Sequence, residues 1–150
     1  MVNDTINLMM QHTSVRNFTD EKISVDILKT IIEAGRAAST WKNFQSYSII
    51  NISSEVTKQK IYDLQPQKSI KGASNFLVFV GDLNRAEKAV KLHTDVFYPE
   101  GIENLLISSV DASLVAQNAL LAAESLGYGG VIVGLIRDQA TELSALLNLP

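Results

Sequence analysis

The 150-residue sequence has no cysteine. That excludes a disulfide framework, a thiolate nucleophile and any cysteine-ligated metal centre. Histidine is scarce, and His12 and His93 lie so far apart along the chain that they make a poor metal set. Positive charge is also short: 13 Lys and Arg against 16 Asp and Glu give a formal net charge of -3. No broad basic surface follows, so neither nucleic acid nor an anionic membrane is an expected partner. The opening MVNDTINLMM lacks a basic leader and a long apolar run, and no stretch is expected to approach the roughly 20 apolar residues of a spanning helix. A cytoplasmic address is the default expectation. Any redox chemistry must come from a borrowed cofactor. What is present is a 46% apolar composition, enough for one domain with a real core.

Asn3 or Asp4 can cap a short helix carrying Ile6, Met9 and Met10, and the polar run from Gln11 ends it, placing His12 to Arg16 in a loop. Ser24 can cap a second helix, with Asp26 in its first turn and Ile27, Leu28, Ile31 and Ile32 forming one stripe before Gly35. Tyr47, Ile49, Ile50 and Ile52 read as a strand, Ser54 to Leu64 as an amphipathic helix, and Asn75 to Val80 as a strand buried on both faces. Asp95 to Gly101 is loop-like. From about Glu103 to Leu126 the chain predicts a long helix, apolar on more than one face and therefore central or at a subunit contact. Gly127 to Gly130 ends it. Val131 to Ile136 then predicts a third buried strand interrupted by Gly134, and Asp138 a cap for a last helix running to about Leu147. The triple Gly127, Gly129, Gly130 does not make a dinucleotide fingerprint, because that motif needs a strand before the glycines and a helix after them.

Four stretches, in order, resemble the nitroreductase family, in its branch of NADPH-dependent, oxygen-insensitive nitroreductases and flavin reductases. They are His12 to Ile23 (HTSVRNFTDEKI), Ala34 to Ile50 (AGRAASTWKNFQSYSII), Gln67 to Arg85 (QKSIKGASNFLVFVGDLNR) and Asp111 to Arg137 (DASLVAQNALLAAESLGYGGVIVGLIR). The resemblance implies an α+β fold, a three-layer α/β arrangement with a central, mainly antiparallel sheet flanked by helices. The chain would be the N-terminal part of a single FMN-binding domain. It also implies a ping-pong reaction in which NAD(P)H reduces FMN and a flat, electron-poor acceptor takes two electrons: a nitroaromatic, a quinone or free flavin. A homodimer is implied, with the pocket at its interface.

The polar loop has the chemistry that a phosphate monoester requires, since guanidinium forks, hydroxyls and backbone N–H groups give charge-assisted bonds to its oxygens. The resemblance assigns His12, Thr13, Ser14, Val15 and Arg16 to the FMN phosphate and ribityl chain, and Ser39 to the same end. Many relatives carry a second Arg or Ser where Thr13 stands. Gln67, Lys68 and Ser69 correspond to a triplet against the ribityl chain and ring edge, with Lys68 departing from the small residue common there. Without the resemblance that triplet reads as a solvated loop. Ile132, Val133, Gly134 and Leu135 match the segment whose backbone passes along the flavin ring, with Gly134 allowing close approach. Asn43 and Gln45 resemble an Asn-x-Gln whose carboxamides can meet the ring's polar edge; a strand-entry turn is the alternative. No side chain is assigned as acid or base, and no metal is implied.

The family's fold continues beyond the point where this chain stops, and relatives carry there a Lys-x-Arg pair for the phosphate and an extension that adds a strand to the partner's sheet. Lacking these, the chain is expected to leave a sheet edge and apolar helix surface uncovered. The alternatives are a non-catalytic flavin- or nucleotide-binding module such as an FMN-binding fragment, another chemistry of the same superfamily, and a purely structural α/β interaction domain.

Overall fold

The structure, a computed structural model, describes residues 2–149. Among them are seven α-helices, two short 3-10 segments and two strands. The chain divides into two compact units, the first formed by the described residues of Met1–Ser24, Asn51–Phe76 and Ala123–Pro150, the second by Val25–Ile50 and Leu77–Ala122.

In the first unit, helix α1 (Asp4–Met10) begins where the Asn3 side chain accepts the Ile6 N–H at 3.0 Å, filling one of the donors that a helix start leaves open. Helix α3 (Glu55–Leu64) starts in the same way, with Ser54 Oγ accepting the Thr57 N–H. It packs against α4 (Lys68–Gly72) and α7 (Ala140–Leu147), and Ile61, Ile70 and Leu143 are buried there. Lys58 of α3 is also buried; its Nζ donates to the Ala73 carbonyl at 2.9 Å and pairs with Glu55 at 2.8 Å. Lys22 reaches the same carboxylate oxygen at 3.3 Å. The ammonium groups of Lys58, first, and Lys22 hold the Glu55 carboxyl below the usual glutamate range. A depressed carboxyl pKa stabilises the folded form above the unfolded value and loses that contribution as pH falls through the folded one. A carbon-13 NMR titration should therefore place the Glu55 midpoint below that of an unfolded-chain glutamate. A midpoint at or above it would show that these pairs do not form.

The second unit contains α2 (Val25–Arg36), α5 (Asn84–Val90) and most of the 24-residue α6 (Ile102–Ser125). Ser108, Asp111, Ala112, Val115 and Ala119 form the buried stripe of α6 at helical spacing. Gly35 lets α2 come close to it: a Cβ there would stand 3.1 Å from Ala119 Cβ and 3.2 Å from the Val115 carbonyl. The core of this unit is Tyr47, Ala112 and Val115, flanked by Ala38, Ile49 and Phe79. Strand β1 (Tyr47–Ile52) pairs with β2 (Phe76–Gly81). The pair is antiparallel: at one end the Asp82 N–H donates to the Ser46 carbonyl, and at the other the Asn75 and Asn51 side chains are bonded.

Four sequence expectations need correction. Residues 131–134 form no strand, and 135–139 form a 3-10 turn instead. A strand is held by ladder bonds to a neighbour, and among the described residues β1 and β2 pair only with each other. Strand β2 is half-buried along Phe76–Val80 rather than buried on both faces. Asp138 lies inside the 3-10 turn, and α7 opens at Gln139 with no side-chain cap. Finally, α6 is long and apolar enough, by length and composition, to cross a membrane. Its few charges, Glu103, Asp111 and Glu124, are spread so widely that the apolar run between them is longer than the sequence expectation.

Candidate functional site

The His12–Arg16 loop is held against the glycine segment that follows α6. The Val15 N–H donates to the Gly130 carbonyl at 2.9 Å. Gly129 makes this contact possible, because a Cβ there would stand 2.7 Å from Val15 Cγ2. Gly127, with φ of 84°, turns the chain out of the helix in a conformation that side chains resist. The loop is therefore fixed at its middle while its ends remain exposed.

Its donors are largely uncommitted. Among the described residues, no backbone carbonyl takes the N–H of Thr13, Ser14 or Arg16. The exposed Arg16 guanidinium makes one bond, to the Ser14 carbonyl of its own loop at 3.3 Å, and Thr13 Oγ1 reaches only the Gln11 carbonyl at 3.5 Å. His12 Nδ1 lies 2.6 Å from Glu124 Oε1. A donor-rich, acceptor-poor loop of this kind suits a multiply charged oxyanion.

The remaining predicted residues divide between the units. Gln67 precedes α4, and Lys68 and Ser69 are its first residues, so two of the three are helical where composition alone suggested a loop. Ser69 is buried while Lys68 is exposed and Gln67 half-buried. Ile132 and Leu135 are more than half exposed, at 57% and 56%, so this apolar segment offers a bare surface. Gly134 has an ordinary φ of -78°, and a Cβ there would meet the Arg137 guanidinium at 3.0 Å; the group that approaches this glycine is Arg137. These residues share the first unit with the loop. Ser39, exposed after α2, belongs to the second, with Asn43 and Gln45.

In the second unit the turn between Thr40 and Tyr47 is strained. Lys42, Asn43 and Gln45 have φ of 47°, 57° and 53°, in a left-handed region that costs a side-chain-bearing residue on the order of 1 kcal/mol. Asp111, with no exposed surface, holds the turn. Its Oδ1 accepts the Trp41 N–H at 3.0 Å, and its Oδ2 accepts the N–H and hydroxyl of Ser46 at 3.1 and 2.8 Å. Arg85 donates to Gln45 Oε1 at 2.7 Å, and Gln45 Nε2 to Asn43 Oδ1 at 3.3 Å. Because guanidinium only donates, this order turns the Asn43 amide nitrogen outward. A cavity of about 210 Å3 lined by Ile32, Arg36, Tyr47, Ser48, Ile49 and Arg85 lies in the same unit. It holds none of the predicted residues, and Arg36 is paired with Glu33 at 2.7 Å.

Sequence reasoning assigned no role to Asp111 or Glu124. The available signal was their rarity: with Glu103 they are the only charged residues of α6.

The sequence pattern of the Nitroreductase family matches residues 9–150. The chain belongs to that family. It is 37% identical to an NADPH-dependent oxidoreductase of Staphylococcus aureus (strain MRSA252), matching over 100% of this chain and 61% of that protein. Among solved structures it is similar to NfrA2 of B. megaterium, with a TM-score of 0.95 at 37% identity, over 99% of this chain and 61% of the other. It is also similar to an NADPH:FMN oxidoreductase from Vibrio harveyi complexed with NAD+, with a TM-score of 0.89 at 36% identity, over 99% and 63%. The α+β nitroreductase fold is thereby established. The chain spans about three-fifths of the length of these relatives.

Proposed function

We propose that this chain is the N-terminal part of a single FMN-binding domain in an NAD(P)H oxidoreductase that delivers two electrons, by a ping-pong route, to nitroaromatics, quinones or free flavin. The observation that carries the reading is the His12–Arg16 loop, fixed at Val15 with its outer donors open. The names of the related proteins, NADPH-dependent oxidoreductase and NADPH:FMN oxidoreductase, support the same chemistry.

The residues fit FMN. His12, Thr13, Ser14, Val15 and Arg16 would take the phosphate and the start of the ribityl chain. Gln67, Lys68 and Ser69 would hold the ribityl chain and ring edge. Ile132, Val133, Gly134 and Leu135 would lie along the ring, where the exposed Ile132 and Leu135 offer the apolar surface that a flat heterocycle buries. When bound, FMN supplies the two-electron chemistry, and the protein's share is orientation and exclusion of water. The partner is a second copy of the chain. Along α6, Ile102, Leu105, Leu106, Val110 and Leu114 are exposed at helical spacing, Ile102 at 83%, an apolar stripe that a dimer would cover. The site of action is the cytoplasm.

The test is an absorbance spectrum of the protein after FMN is added and the excess removed, followed by NADPH under nitrogen. Retained flavin bands that bleach support the reading. Retained flavin that ignores NADPH favours a non-catalytic binding module, and no retention removes the proposal. In the retained case Arg16→Ala should weaken FMN binding roughly 30-fold, about the worth of one charge-assisted contact.

A further inference from the structure

Glu124 occupies a costly position. It is the next-to-last residue of α6, at the helix end where the macrodipole disfavours negative charge. Its side chain is only 11% exposed, and its Oε2 is buried with no hydrogen-bond partner among the described residues. An unsatisfied buried carboxylate oxygen weakens a fold, so the fold gains little from this residue. Its other oxygen, Oε1, meets His12 Nδ1 at 2.6 Å across 112 residues of sequence. The His12 ring is 40% exposed, and its Nε2 has no partner among the described residues.

We propose that Glu124 is a positioning residue for anion capture: by holding the hydrogen on His12 Nδ1 it fixes the ring so that Nε2 faces an incoming phosphate of the FMN class. This rests on the flavin reading above. Nδ1–H donates to Glu124, Nε2 is left as the free nitrogen, and a proton carried by the phosphate monoester is shared between its oxygen and Nε2. No covalent bond changes. A carboxylate behind the ring orients an imidazole and fixes which nitrogen is free, as second-layer carboxylates do for histidines at metal sites. The rest of the loop is built to the same end, since Arg16 and the N–H groups of Thr13 and Ser14 have no competing carboxylate among the described residues.

The experiment compares the full chain with Glu124→Leu and Glu124→Gln, using FMN and riboflavin as probes, because the two differ only in the phosphate. In Glu124→Leu the FMN affinity should fall about tenfold, less than the loss of a whole charge-assisted contact because the ring stays and only its orientation is lost, while riboflavin affinity stays constant. Glu124→Gln, whose amide oxygen still accepts from Nδ1, should keep part of the difference. Thermal stability of Glu124→Leu should be unchanged or raised, since an unpaired buried oxygen is removed. Nitrogen-15 NMR of the ligand-free protein should find the His12 hydrogen on Nδ1, and its preference should be lost in Glu124→Leu. Double replacement with His12→Ala should bind FMN no worse than His12→Ala alone. Equal losses for FMN and riboflavin would assign Glu124 a merely structural role and overturn the proposal. An unchanged FMN affinity, or an unchanged tautomer in Glu124→Leu, would also overturn it. If the unsubstituted protein bound neither probe, the flavin reading itself would fall, an outcome separate from binding that ignores Glu124.

Discussion

Asp111→Ala is expected to lower the stability of the folded chain by about 3–4 kcal/mol. The carboxylate is fully buried and accepts three hydrogen bonds, from the Trp41 N–H, the Ser46 N–H and the Ser46 hydroxyl. Removing it leaves two backbone donors without partners, each costing roughly 1–3 kcal/mol, and opens a small cavity beside them. The same bonds hold Lys42, Asn43 and Gln45 in left-handed conformations, so the turn relaxes as its anchor goes. Trp41 is the single tryptophan and lies in that turn, so urea unfolding followed by its fluorescence reports both effects. Asp111→Asn should cost less, because its oxygen still serves one side of the turn while its amide nitrogen faces a donor. An Asp111→Ala midpoint within about 1 kcal/mol of the parent protein would show that the anchor does not stabilise the fold as described.

Legibility in the sequence followed the range of the forces involved. The α1, α2, α3 and α6 spans were readable because capping residues and apolar spacing act within a few residues: Asn3 and Ser54 cap where expected, and the α6 helix falls within one residue of its predicted bounds. Residues 131–134 were not, because whether an apolar run becomes a strand depends on a neighbour that its own sequence does not contain. The five-residue α4 was hidden for the opposite reason: KSIKG is polar by composition, and only the burial of Ser69 and Ile70 reveals a helix that packs. At the candidate site, the loop His12–Arg16 was legible by residue chemistry. Its supports were not, because Glu124 and Gly130 reach it across more than a hundred residues. Asp111 was invisible in the same way, its partners lying 65 and 70 positions upstream.

Gly129→Ala is expected to destabilise the first unit by about 2 kcal/mol and, on the proposed flavin reading, to weaken FMN binding at least tenfold. The added methyl would stand 2.7 Å from Val15 Cγ2 and 3.0 Å from its Cβ, closer than carbon atoms approach without displacement. Valine is branched at Cβ and has little rotamer freedom with which to retreat, so the adjustment passes to the backbone and strains the bond from the Val15 N–H to the Gly130 carbonyl. Overpacking of this size typically costs 1–3 kcal/mol. That bond fixes the middle of the His12–Arg16 loop, to which the phosphate is assigned in the proposed function, so Ser14 and Arg16 on either side lose their alignment as well. The pair of substitutions decides the cause. Val15→Ala removes the colliding methyl groups, and Gly129→Ala with Val15→Ala should recover most of the stability and most of the FMN affinity lost in Gly129→Ala alone, measured by thermal unfolding and flavin titration. If the double variant is as impaired as the single one, the collision with Val15 is not the cause, and the room that Gly129 leaves does not set the position of the loop.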